Sequence, residues 1–427
     1  MTGVSPLRPG LLVAAAVLTV CAPKGSLAET SARVGVQVHP SDIAGLLLVF
    51  AATVAVLSGV SAPPRRALWA FGPLVLATGL ATLCSPDITA SLPGFIRVVQ
   101  LFVLVPLAVL ILVRDRRDAL IPAGGVVAAG LFEGCYGVWQ ARTGNGASYA
   151  GENVRAVGTF GGTDVMALSV VAGLALIITL SFLLAGSWRL RLLAPAALLV
   201  LAAALALGLS RGAWIAIGAA AVLVLFAYSV RLALWTAVTA VSLLVVLAGG
   251  LGVGPGFDML ADRTRSLADI TDAPDQSVVD RYSLWTAASG MWQDHPITGV
   301  GVKNFPAYRD TYAPIELSSA GEVADDDGYR RQPLLSPHNQ YMLFLSEQGV
   351  LGLAGLLTLF GTLLYGVWAH RSPRDPLWLA SAGLLTALLI DFLYSDLGGG
   401  GSVLVSIVIG LIAAGPTVWR RPGSAPA

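Results

Sequence analysis

The chain has 427 residues, a net charge of +1, 56% apolar and only 12% charged side chains, and a mean hydropathy of +0.76. A soluble domain carries about 25% charged residues, so too few charges remain to cover a water-facing surface, and the balanced charge gives no argument for a nucleic-acid partner. The composition implies an all-α polytopic membrane protein, read as a single membrane domain over residues 1–427.

In hydrocarbon a backbone must satisfy its own hydrogen bonds, so each apolar run of ~20 residues is expected to be a helix. The first run, Leu11–Ala22, is short. Ser26-Leu27-Ala28 could end a cleaved leader, and a retained helix is the preferred reading. Ile43–Ser61, Ala67–Cys84, Phe95–Val113 and Ala119–Gln140 follow, then a polar loop at Ala141–Gly162. Thr163–Gly186, Leu192–Leu209, Gly212–Val230 and Leu232–Gly252 come next, the pair around Ser210-Arg211 sharing a very brief turn. A long segment, residues 253–338, precedes three final runs at Tyr341–Ala369, Pro376–Tyr394 and Ser402–Val418. The expectation is about 12 transmembrane helices with a large extracytoplasmic loop between helices 9 and 10.

Short-loop arginines set the orientation. Arg65 and Arg66, Arg114, Arg116 and Arg117, Arg189 and Arg191, Arg231, and Arg371 and Arg374 fall on one set of connections, with Arg8, Arg420 and Arg421 at the termini. Both termini are therefore expected in the cytoplasm of a bacterial cytoplasmic (inner) membrane protein, with residues 253–338 outside.

Within that loop, Asp280 is read as an N-cap. Leu284, Trp285, Ala288, Met291 and Trp292 then form one apolar helix face, ended by Pro296 and the Gly299-Val300-Gly301 turn. Phe305, Tyr308 and Tyr312 extend an aromatic surface. Asp325-Asp326-Asp327 reads as a solvated acidic run; no second carboxylate cluster argues for a metal. Cys21, Cys84 and Cys135 lie in or beside apolar runs without metal-ligand spacing. No metal or cofactor is expected.

Four residues carry candidate chemistry. Arg211 sits between two apolar runs at their outer ends, where a cation is costly unless it snorkels or finds an anion. It is either an interface anchor or a bidentate phosphate ligand. Arg281 has the same two readings, as partner of Asp280 or as anion ligand; Arg155 is a lesser candidate. His338, followed by Asn339, stands at the entrance to the tenth helix. It reads as a polar boundary residue or as a base for an attacking hydroxyl. His39, His295 and His370 lack that placement.

Four segments together resemble the O-antigen ligase/polymerase superfamily of bacterial envelope glycan transferases. They are VRAVGTFGGTDVMAL (Val154–Leu168), LGLSRGAWIAI (Leu207–Ile217), DRYSLWTAASGMWQDHPITGVGVKNF (Asp280–Phe305) and PHNQYMLFLSEQGVLGL (Pro337–Leu353). The resemblance implies a GT-C-like helical fold and a metal-independent glycosyltransferase. It also implies a lipid-linked glycan donor built on undecaprenyl diphosphate, and an acceptor hydroxyl on a lipid, polysaccharide or protein at the outer face. Carried over residue by residue, Arg211 and Arg281 would bind the diphosphate, with Arg155 and Asn339 as lesser substrate contacts, and His338 would deprotonate or orient the acceptor. The HNQY segment favours a ligase; a polysaccharide polymerase of the same superfamily is the alternative. A glycan flippase is a further reading, although transporters usually gather polar groups near the bilayer midplane and these candidates gather at the outer edge.

Overall fold

The computed structural model describes residues 8–23, 39–149, 152–162, 164–250, 276–314, 317, 321–325, 328–332 and 334–419. Helices dominate them: α1 (Pro9–Leu18), α2 (Pro40–Leu57), α3 (Arg65–Leu83), α4 (Ile88–Leu112), α5 (Arg116–Thr143), α6 (Ala167–Ala185), α7 (Trp188–Leu207), α8 (Arg211–Tyr228) and α9 (Val230–Gly250). After them come α10 (Gln276–Asp294), α11 (Phe305–Tyr312), α12 (Gln340–Ala369), α13 (Pro376–Asp391) and α14 (Ser402–Val418). Among the described residues eight helices, α2 to α8 and α12, are long and apolar enough to cross a membrane, and four shorter apolar helices accompany them. This is the architecture of a polytopic membrane protein. Two antiparallel hairpins interrupt the helical pattern, β1 (Ala147–Tyr149) with β2 (Glu152–Arg155), and β3 (Gly321–Asp325) with β4 (Gly328–Gln332). Asp325 closes β3; Asp326 and Asp327, like the Ser26–Ala28 leader site, lie outside the described residues.

The bundle packs around α6, 72% of whose apolar window is buried, against 17% for α7 at the periphery. Helix α6 lies against α5, α7, α8 and α13, while α3 packs on α12 and α14 on α4. Small residues permit these approaches: a Cβ at Gly130 would overlap Ala175, and one at Gly410 would overlap Val109 and the Pro106 carbonyl. Connections grouped by sequence as arginine-rich meet within their own group. Arg8 pairs with Asp115 at 3.5 Å, Arg116 chelates Asp375, and Arg374 stacks 4.5 Å from the Tyr228 ring.

Two transmembrane helices are irregular. Helix α4 contains a π turn at Gln100–Leu104. Pro106 follows and has no N–H for the Phe102 carbonyl, which favours a wide turn there. Helix α12 breaks at Gly349, where φ is 63° and ψ −162°. The Pro296–Gly301 turn fills the break: Val300 and Gly301 N–H donate to the Ser346 and Glu347 carbonyls, both at 3.0 Å, and Val350 N–H donates to the Pro296 carbonyl at 2.9 Å. The freed backbone groups are thereby satisfied by protein, the condition under which a membrane helix tolerates interruption. Beyond the turn, Asn304 Nδ2 donates to Ser85 Oγ at 3.0 Å, seating the loop on the α3–α4 connection.

The long segment before the tenth apolar run is therefore built into the bundle over Pro296–Asn304, and that run is not one continuous helix. Two smaller expectations also change. Helix α10 starts at Gln276, so Asp280 lies inside it and is not its N-cap. Phe305 is fully buried in a small second core with Leu284, Ala288, Met291 and Val300, so it is not a surface aromatic. That core forms because the Leu284–Met291 face meets α12, as its spacing required.

Candidate functional site

Helix α8 begins at Arg211 after a turn of only Gly208, Leu209 and Ser210. Leu209 adopts a left-handed φ of 47°, which a branched residue resists. The turn is held from several sides. Ala156 N–H donates to the Leu207 carbonyl at 3.1 Å, Arg155 Nε donates to the Gly208 carbonyl at 2.9 Å, and Trp214 Nε1 donates to the Leu205 carbonyl at 2.8 Å. Ser210 caps α8 by accepting from Ala213 N–H. Arg211 is thus a half-buried cation in the first helical turn, which contains no acidic residue. A helix N-terminus already carries partial positive charge, so charge of the same sign there favours an anionic visitor.

The loop carrying Arg155 is fixed from below. Glu133 on α5 accepts from Thr159 N–H at 2.9 Å and from Thr159 Oγ1 at 2.7 Å, and Gln140 Oε1 accepts from Val157 and Gly158 N–H. Arg155 is therefore first a brace for the Arg211 turn.

Arg281 lies in the second turn of α10, half-buried, and His338 precedes α12. His338 also has a left-handed φ, 47°. Strain of this kind persists only where surroundings over-determine it, and here they do. Trp285 Nε1 on α10 donates to the Pro337 carbonyl at 2.9 Å, and His338 N–H donates to Ser336 Oγ at 3.3 Å. Asn339 caps α12, its Oδ1 accepting from Tyr341 and Met342 N–H, each at 3.0 Å. The Asn339 oxygen is committed to that cap. Burial lowers the His338 pKa below the ordinary 6.5; the Arg281 guanidinium lowers it further, and the Asp396 carboxylate opposes both. A neutral imidazole able to accept a proton is the result.

What brings these helix starts together is a stretch the sequence reading did not single out, Phe392–Gly401, between α13 and α14. Tyr394 packs where a Cβ on Gly212 would stand, beside Arg211. Ser336 Oγ donates to Asp396 Oδ2 at 2.5 Å. Gln340 N–H donates to the Phe392 carbonyl at 2.8 Å, and Leu397 N–H donates to Gln340 Oε1 at 2.8 Å. Gly400 N–H donates to Asp164 Oδ2 at 2.7 Å, which ties in the segment after Arg155. Asp391 is buried at the end of α13; it accepts from Ser395 Oγ and feels the fields of Arg281 and Asp396. An apolar crevice adjoins it between α6, α8 and α13, lined by Val170, Leu174, Ala213, Ile217, Ala387 and Leu388. The sequence signal for this stretch was weak. Tyr394-Ser395-Asp396 is a short polar cluster between the last two apolar runs, and Asp391 is a single acid inside a late apolar run.

Chemically, the site offers cations on two separate helices and a neutral imidazole at the start of a third. The cations suit a ligand with an anionic group. Residues 196–357 match the family model described as O-Antigen ligase, a stretch that includes Arg211, Arg281, His338 and Asn339 and leaves out Arg155 and Asp396. No curated protein matches the chain. Over residues 196–357, therefore, the chain is similar to the O-antigen ligase family, which supports a place among lipid-linked glycan transferases.

Proposed function

We propose that this protein transfers a glycan from undecaprenyl diphosphate to an acceptor hydroxyl at the outer face of a bacterial cytoplasmic membrane, as a metal-independent, O-antigen ligase-like glycosyltransferase. The observation that carries the reading is the gathering of the starts of α8, α10 and α12, bearing Arg211, Arg281 and His338, around Phe392–Gly401. In this reading the whole chain is one membrane domain. The eight long and four shorter apolar helices supply about twelve spans, with both termini cytoplasmic and residues 253–338 contributing the extracytoplasmic portion. Arg211 and Arg281 grip the diphosphate. The acceptor oxygen attacks the anomeric carbon, its proton passes to His338, and the sugar–phosphate bond breaks to leave undecaprenyl diphosphate. Negative charge grows on that leaving group, and fixed guanidinium groups stabilise it without a divalent cation. Arg155 supports Arg211 through the Gly208 carbonyl. Asn339 presents the imidazole by capping α12 and can meet substrate only through its amide nitrogen.

The test is reconstitution of purified protein with lipid-linked glycan and an envelope extract as acceptor source. Transfer is expected from wild type, and Arg281→Ala, Arg211→Ala and His338→Ala should each lose two to three decades of rate, about 3–4 kcal/mol of barrier, while inserting at normal levels. Full transfer by Arg281→Ala and His338→Ala together would refute the assignment. A ladder of longer carrier-linked glycans formed without the extract would identify a polymerase instead of a ligase.

A further inference from the structure

We propose that Asp396 is the positioning residue for His338: through the Ser336 hydroxyl its carboxylate anchors the Ser336–His338 turn, and it sets an opposite charge before the imidazole. This assignment rests on His338 being the base of the proposed transfer, and it adds a residue outside the matched stretch. The geometry is a relay of two hydrogen bonds, Ser336 Oγ–H to Asp396 Oδ2 at 2.5 Å and His338 N–H to Ser336 Oγ at 3.3 Å. On the other side of His338, Gln340 binds the same stretch twice, through its N–H to Phe392 and through its Oε1 to Leu397 N–H. His338 is thus clamped on both flanks by residues 392–397. This explains how a non-glycine residue stays at a φ of 47°.

The charges around the imidazole come from two elements. Arg281 on α10 opposes its protonation, and Asp396 favours it; Asp391, at the end of α13, interacts with both of these. A base that is buried beside a guanidinium holds a captured proton poorly. The field of the Asp396 carboxylate, held by Ser336 two residues from His338, stabilises the imidazolium formed as the acceptor hydroxyl is deprotonated. Asp396 touches no reacting atom in this scheme and acts through His338.

The experiment uses the full chain in nanodiscs, labelled with 13C at histidine Cε1, with no donor present. Four histidines are visible, His39, His295, His338 and His370, and His338→Gln identifies the signal of interest. In Asp396→Asn, which keeps an acceptor for Ser336 and loses the charge, the His338 titration midpoint is expected at lower pH than in wild type. Asp396→Glu is expected to restore it, and the other three histidines should titrate as before. Where Asp396→Asn does not accumulate, Ser336→Ala releases the carboxylate and should move the midpoint the same way. A midpoint that stays put or rises in these variants overturns the proposal. Because the reading needs no transfer, failure of the glycosyltransferase assignment would show separately, as an inactive wild type.

Discussion

At the scale of single residues, the site depends on two side chains held in backbone conformations they would not choose. Leu209 and His338 both sit at a φ of 47°, and each is locked by hydrogen bonds from distant segments. For His338 the consequence is a pH dependence with a definite sign. Its pKa is depressed by burial and by Arg281, so the imidazole stays neutral, and competent as a base, at pH values where an ordinary histidine would be protonated. Transfer should therefore persist as pH falls through 6.5 and be lost only below it, and a rate profile on reconstituted protein measures this; an acid limb centred above 6.5 would count against the base. The Trp285 indole bond to the Pro337 carbonyl is a second handle. Trp285→Phe removes the donor and leaves that carbonyl without it, a loss of about 1–3 kcal/mol. Turnover is expected to fall while donor binding is unchanged, as judged by comparing kcat with donor affinity.

At the scale of elements, much was legible in the sequence and some was not, for identifiable reasons. Runs of ~20 apolar residues marked most membrane helices to within four residues, because hydrocarbon leaves the backbone no alternative; α4 is the exception and starts at Ile88, seven residues before the expected Phe95. The short Ser210-Arg211 turn was equally plain, and so was the Leu284–Met291 face of α10. The break in α12 was invisible. Gly349 lies in QGVLGLAG, where it looks like Gly352 and Gly355, and what distinguishes it is the Pro296–Gly301 turn arriving from about fifty residues earlier. Asp396 was missed on similar grounds: nothing in a short polar link announces that Ser336 and Gln340 will bind it. The break itself is open to test. A Cβ at Gly349 would overlap the Ile297 carbonyl, at a φ that side chains resist. Gly349→Ala should cost at least ~2 kcal/mol, read as a lower melting temperature in detergent, whereas Gly361→Ala, with open space around it, should melt like wild type. Equal melting of the two variants would mean the docked turn contributes little.

At the scale of the whole molecule, the membrane bundle acts as a frame that delivers three helix starts to one place. Helix α6 fills the centre, α8 and α13 pack across it, and the Phe392–Gly401 stretch leaving α13 touches the neighbourhoods of Arg211, His338 and the Arg155 loop in turn. The described part of the segment that links α9 to α12 is anchored in the same frame through α10 and the break in α12. Such a frame can hold two guanidinium groups apart at fixed separation, as a diphosphate clamp requires. Binding of undecaprenyl diphosphate to the nanodisc-embedded protein tests the proposed Arg211–Arg281 clamp. Arg211→Ala combined with Arg281→Ala is expected to weaken binding at least about tenfold, the loss typical of charge-assisted contacts, while His338→Ala should bind like wild type. Wild-type affinity in the double arginine variant would contradict it.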